Sequence, residues 1–299
     1  MFTLVHVLRR AGLAARDVNV MLHSPREASL RAVLPSLVRT RRAAMEAFQA
    51  THGGKGAEAA LKAGRPWVAT FVKVGQDVPS SRSKMLFAGL YRNRGHRARS
   101  HAEIMADPEI AFLSRTYGTH PEFDPEEAVR THDWFDLTLD PLLTEMQGRL
   151  VISARLTPNY IRRAENLDAP VRAIHEESAF DADPPDWRSW IVTAAEVRAL
   201  PPGWAARLRE WRGIYLIRDA RDGARYVGSA YGQTNLLGRW SAHVAGDDGV
   251  TAELAGRDPA GFTFSILERV SPDMPVEDIT ALEQSWMARL HTKRDGLNR

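Results

Sequence analysis

The sequence predicts an α+β protein built in two parts. The first is an N-terminal α+β region with a small sheet or barrel. The second is a C-terminal region with a three-stranded antiparallel sheet flanked by helices. Three observations lead there. A length of 299 residues suits two separate cores better than one. From Trp67 the apolar spacing changes from helical to β-rich runs. From Gly213 onward, strand, turn, strand, helix, strand and helix signals follow in close order.

In the N-terminal part, Ser24-Pro25-Arg26-Glu27 has capping-box spacing with Pro at the first helical position, so a helix is expected to start there. Met45, Phe48 and Gln49 fit a second helix after Pro35, and Gly53-Gly54-Lys55-Gly56 ends the helical segment. WVATFVKV (67–74) and MLFAGLYR (85–92) read as a hairpin turned at Pro79-Ser80-Ser81-Arg82-Ser83. RLVISARL (149–156) and VRAIHEE (171–177) give two more strands. Asp181 to Asp186 reads as a linker and Pro201-Pro202-Gly203 as a second break. Thr193-Ala194-Ala195-Glu196 is a capping box, and Trp204 to Trp211 a short helix. The expected division is 1–190, a helical linker at 191–210, and 211–299.

Composition excludes several chemistries. Cys is absent, which removes disulfides, thiolate nucleophiles and Cys-ligated zinc. His101-Ala102-Glu103 therefore cannot open a zinc-deaminase site. Gly53-Gly54-Lys55-Gly56 lacks the spacing and hydroxyl of a phosphate-binding P-loop. No apolar run reaches membrane-spanning length, and the N-terminal arginines follow rather than precede a short apolar stretch, so a cytoplasmic location is expected. Net charge is only +3, but Lys occurs at just five positions, so arginine carries most of the positive charge. Arginine suits bidentate phosphate contacts, and genomic base composition accounts for the same bias.

In the C-terminal part, Gly213 to Ile217 is a strand, Asp222-Gly223 a turn, and Arg225 to Gly228 the returning strand. A helix follows from Asn235 to Val244, then a Gly- and Asp-rich loop (245–261). FTFSILE forms a third strand, and a last helix runs from Glu277 to His291. On that helix Ile279, Leu282, Trp286, Met287 and Leu290 form the apolar stripe, and Glu283 projects within it. A carboxylate in an apolar face is costly unless paired or bound to metal. Leu236, Trp240 and Val244 make the core stripe of the earlier helix, with Arg239 and His243 at its edge.

This order of elements resembles the GIY-YIG nuclease domain. The two name-giving tripeptides stand here as Gly213-Ile214-Tyr215 and Tyr226-Val227-Gly228, followed by Arg239, His243, Glu283 and Asn298. The resemblance covers about ninety residues and implies hydrolysis of DNA phosphodiesters with a divalent ion, Mg²⁺ or Mn²⁺. It implies Glu283 as the ligand of a single metal and Tyr215 as general base, whose pKa must fall or whose proton must be relayed. Arg239 would hold the phosphate, Tyr226 and His243 would orient the reacting groups, and Asn298 would brace the site.

Residues 1–190 are expected to choose the DNA target. Trp67, Phe71, Phe87, Tyr91, Trp134, Phe135 and Tyr160 read mainly as core, although a pair of them would also suit a flipped base. Hairpins around a small barrel resemble, in outline only, PUA-like modified-base readers. Arg92, Arg94, Arg97 and Arg99 read as a phosphate-contacting or simply solvated loop after the second strand. A restriction or defence enzyme is the leading function. A structure-selective repair nuclease and a non-catalytic binding protein retaining the shell are the alternatives.

Overall fold

A computed structural model describes all residues except 53–54, 79, 120–130, 181–183, 247–253 and 255, with the side chain of Lys55 also left aside. The Gly53-Gly54 break, Pro79 in the hairpin turn, the first half of the 181–186 linker and much of the 245–261 loop lie outside the described residues. The chain divides into two compact units, Met1–Phe180 and Asp181–Arg299.

The first unit runs α1 (Leu4–Arg10), β1 (Val18–His23), α2 (Ala28–Thr40), α3 (Arg42–Ala50), α4 (Lys55–Lys62), β2 (Trp67–Asp77) and β3 (Arg82–Ser100). It continues with α5 (His101–Met105), α6 (Pro108–Tyr117), β4 (Thr131–Asp140), β5 (Leu150–Ala154), β6 (Ile161–Arg163) and β7 (Val171–Ile174). The strands form an open seven-stranded sheet in the order β6-β1-β2-β3-β5-β7, with β4 branching from β3. The strands β1 and β2 are parallel, and the three helices between them make the crossover that a parallel pair requires. Every residue of β1 is buried, because apolar layers cover both sheet faces. Val20 and Leu22 pack with Phe71 and Phe87 on one side, while Met21 packs with Tyr91 and Phe135 on the other.

Two local expectations fail here. The helix starts at Ala28 rather than within Ser24-Pro25-Arg26-Glu27, and its N-cap Glu27 makes no side-chain cap bond. The Arg31 guanidinium instead binds the Pro25 carbonyl at 2.7 Å, holding that segment outside the helix. The helical segment does not end at Gly53-Gly54-Lys55-Gly56 either, because α4 begins at Lys55. The second helix expected after Pro35, with Met45, Phe48 and Gln49, forms as α3, although Pro35 itself lies inside α2. An interior proline costs about 3 kcal/mol, and burial of Leu30, Val33, Leu34, Leu37 and Val38 offsets it.

The arginines at 92, 94, 97 and 99 also stand differently. They lie on the 19-residue strand β3, not on a loop. The first half of β3 pairs with β5 and its second half with β4, so the ladder continues through a polar stretch that gives no apolar alternation.

The second unit contains β8 (Ile191–Thr193), α7 (Ala194–Val197), α8 (Pro202–Glu210), β9 (Arg212–Asp219), β10 (Arg225–Ala230), α9 (Asn235–Ala245), β11 (Phe262–Val270), α10 (Val276–Arg289) and α11 (Thr292–Asp295). Its antiparallel sheet has the order β10-β9-β11-β8. The three expected strands are joined by β8, so the segment read as a helical linker contributes to this sheet. The Thr193–Glu196 capping box forms as its spacing requires. One sheet face packs on Trp240 and Leu236 of α9 together with Trp190. The other packs on Ile279 and Met287 of α10.

Gly213 lies where β11 bulges between Ile266 and Glu268. A Cβ there would overlap the Glu268 carbonyl and stand 3.1 Å from the Arg269 Cα, both rigid backbone. Gly213→Ala is therefore expected to destabilise this unit by about 1–3 kcal/mol, as overpacking does. Denaturant unfolding followed by tryptophan fluorescence would measure it. A midpoint unchanged from wild type would show that the bulge relaxes freely.

Candidate active site

Strand alternation creates the site. Tyr215 of β9 stands opposite Gly228 of β10 in the ladder. A Cβ at position 228 would lie 2.5 Å from the Tyr215 hydroxyl and 2.6 Å from its Cζ. Glycine is thus what lets the Tyr215 ring lie across the edge strand. Beneath that ring, α9 presents Arg239 and His243 one turn apart on the same face. The Tyr215 hydroxyl and His243 Nε2 are 2.8 Å apart, and both residues are buried. The Tyr226 ring meets His243 edge-on at 5.9 Å between centroids.

Burial sets the protonation states. Removal from water pushes the Tyr215 hydroxyl well above its ordinary pKa, and Tyr226 and Glu283 add to the shift while Arg239 opposes it. Burial, helped by the Arg239 charge, lowers His243 to about 4. At neutral pH the pair is therefore a neutral phenol against a neutral imidazole. A free phenolate at Tyr215 is therefore disfavoured.

Glu283 approaches from the opposite face of β10. Val227 packs with Ile279 and Met287 of α10, and two residues along on the same face the Ser229 hydroxyl donates to Glu283 Oε2 at 2.8 Å. Burial raises the Glu283 carboxyl, opposed by the Ser229 hydrogen bond and by Arg239. Arg239 thus acts electrostatically on Tyr215, His243 and Glu283 together.

Asn298 is placed differently from the others. Its amide accepts from the Val227 N–H at 2.9 Å and donates to the Val227 carbonyl at 2.8 Å. Leu297 N–H bonds the Arg225 carbonyl at 2.8 Å, so the chain end pairs with the open edge of β10. It holds the strand that carries Tyr226, Gly228 and Ser229. Ser229 was not singled out from the sequence. Its signal was parity, since a residue two past Val227 must face the same helix. His243 is more deeply buried than a position on the edge of the stripe suggests.

Of the four arginines expected to meet phosphate, Arg92 pairs with Asp140 at 2.7 Å and stacks on Trp67. Arg99 donates to the Glu103 carbonyl and lies over Trp134. Arg94 and Arg97 are exposed and border a cavity in the first unit.

Residues 212–295 match the family model of the GIY-YIG catalytic domain. Among solved structures, the catalytic domain of the intron endonuclease I-TevI, in a mutant form, is 26% identical. The match covers 29% of this chain and 92% of that one, with a TM-score of 0.26. Comparison with curated proteins gave no match. The C-terminal unit carries a GIY-YIG domain.

A buried imidazole makes stability depend on pH. The folded pKa of His243, about 4, lies below its ordinary 6.5, so the unfolded chain binds the proton more tightly. Its contribution is complete above pH 6.5 and is lost as pH falls through that value toward 4. The full shift corresponds to about 3 kcal/mol. Unfolding of wild type and His243→Gln between pH 7.5 and 4 should show a shallower pH slope in the variant. Equal slopes would mean that His243 does not titrate with folding.

Proposed function

We propose that this protein is a metal-dependent DNA endonuclease whose N-terminal unit selects the target, in a restriction-like role. The carrying observation is the Tyr215–His243 contact on one face of β10 with Glu283 on the other, and Arg239 biasing both.

The donor set fits a hard divalent ion such as Mg²⁺ or Mn²⁺. Glu283 is half-buried, and among the described residues its one hydrogen-bond partner is Ser229, on Oε2. Among the described residues no three His, Cys, Asp or Glu side chains converge. A lone carboxylate suits an ion that keeps water and substrate phosphate as its other ligands, and does not suit a closed zinc cage. Such an ion held at Glu283 would polarise the phosphate and stabilise the charge that develops on it.

The chain's own groups supply the remaining chemistry. As water attacks phosphorus and the bond from phosphorus to the leaving sugar oxygen breaks, the water proton passes to the Tyr215 oxygen while the Tyr215 proton passes to His243 Nε2, and the leaving oxygen takes a proton from solvent. This relay never requires a free phenolate. The Arg239 charge opposes an imidazolium in the empty site, but a bound phosphate supplies compensating negative charge and raises the His243 pKa. Arg239 also holds the phosphate in the transition state through its planar fork. The edge-on Tyr226 ring keeps the imidazole plane aligned with Tyr215.

Glu283→Ala should abolish Mg²⁺-dependent cleavage yet leave the fold and DNA binding intact, as read by gel cleavage, circular dichroism and mobility shift. Cleavage at the wild-type rate would remove Glu283 from the metal site. Arg239→Lys keeps the charge but loses the fork, and should slow single-turnover cleavage at least about tenfold, or about 1.4 kcal/mol. A rate matching wild type would make Arg239 a solvated flank. Plain, methylated, hydroxymethylated and branched substrates distinguish restriction-like choice from structure-selective repair, and no cleavage of any would indicate a non-catalytic binder.

A further inference from the structure

The first unit contains a cavity of about 600 Å³ that the nuclease chemistry does not use. Its size lies within the roughly 300–1,000 Å³ of small-molecule sites. Its shape follows from the sequence. Ala43, Ala47 and Ala50 fall on one face of α3, and their small side chains leave that wall hollow. The facing wall is β4, where Trp134 and Phe135 line the space.

A bulge forms the mouth. The β3–β4 ladder shifts register between Asn93 and His96. Gly95 there has φ +110°, a backbone that other residues rarely adopt, and its N–H donates to the Asn93 side chain at 3.1 Å. Asn93 is itself fixed to the Leu61 carbonyl at 2.9 Å. The bulge sets Arg94 and Arg97 at the cavity border, and such bulges re-aim side chains beside functional sites. Inside, Asp107 caps α6 and faces Arg99, and Glu109 binds Arg41 at 2.6 Å, so both are engaged. Glu46 and Asp136 are the remaining acids on the lining, and burial raises the Glu46 carboxyl above its usual range.

We propose that this cavity receives a single nucleobase extruded from DNA, of the kind that carries an amine where thymine and guanine carry a carbonyl, namely cytosine or adenine. The inference rests on the reading that the N-terminal unit selects the target. Trp134, partly exposed on this wall, offers aromatic surface to a planar ring. A carboxylate only accepts hydrogen bonds, so Glu46 complements the amine donors of cytosine and adenine and not the acceptor-rich edge of thymine. Arg94 and Arg97 meet the flanking phosphates.

The test uses the full chain in EDTA, where binding is read without cleavage. Anisotropy is measured on duplexes carrying one cytosine, adenine or thymine opposite an abasic site, and on the paired duplex. An unpartnered base costs least to extrude. Wild type should bind the cytosine or adenine duplex several-fold more tightly than the thymine or paired one. Glu46→Gln, of the same shape, should lower affinity for the cytosine and adenine duplexes to that for thymine, with binding of the paired duplex unchanged. Trp134→Ala should weaken the unpaired duplexes selectively, and Arg94→Ala with Arg97→Ala should weaken all of them and flatten the salt dependence. Circular dichroism checks that each variant is folded. DNA binding with no base preference, or a preference that survives Glu46→Gln, overturns the base pocket and leaves target selection standing. No DNA binding by wild type overturns target selection, and the base pocket with it.

Discussion

The catalytic unit depends on one close approach, the Tyr215 ring lying over Gly228 to reach His243. Adjacent strands in a sheet lie about 4.8 Å apart, and a tyrosine on an inner strand can extend over the edge strand only if nothing stands up from it. Gly228 clears the path, and the tyrosines at 215 and 226 then converge on one imidazole. Ser229 follows on the opposite face and holds Glu283. Four consecutive residues of β10 thus do four different things: Tyr226 aligns, Val227 packs, Gly228 yields and Ser229 positions.

An edge strand with that task must not fray. Its free side is the natural place for a chain end to pair, and here Leu297 and Asn298 occupy it. A backbone segment would serve as well, but a side-chain amide that both accepts and donates ties one residue, Val227, at both polar atoms. That residue lies between the strand positions facing the imidazole and the one facing the carboxylate. Asn298 therefore holds the backbone of β10 rather than pointing at the imidazole or the carboxylate.

The GIY-YIG unit was legible because its signals are local and dense. Gly213-Ile214-Tyr215, Tyr226-Val227-Gly228, Arg239 with His243 and Glu283 each have a fixed place on a strand or helix, and spacing alone sets the face. The fourth strand was not legible, since Ile191–Thr193 has too few residues to show alternation. In the first unit α2, α3 and the β2–β3 hairpin were readable, while the short helices α1, α4, α5 and α6 were not. The second half of β3 was not legible either, because Arg92 to Ser100 has no apolar alternation and its strand character comes from pairing with β4. Pro35 did not end α2, because tertiary burial of the α2 stripe outweighed a local breaker. His23 and His52, which burial lowers to about 3 and about 4, gave no sequence signal.

The two units handle polar burial in different ways. In the second, the desolvated groups face one another and a cation, so Tyr215, His243, Glu283 and Arg239 make a site in which moving one charge changes all the others. Burial moves the Tyr215, His243 and Glu283 groups each toward the neutral form. In the first, Arg41, Arg92 and Arg99 are fixed by carboxylates and aromatic rings, while Arg94 and Arg97 stay exposed on a glycine bulge beside an aromatic-walled cavity. The bulge at Gly95 thus separates Arg92, held by Asp140 and Trp67, from the exposed Arg94 and Arg97 only locally, since Arg99 further along β3 is again held by Glu103 and Trp134.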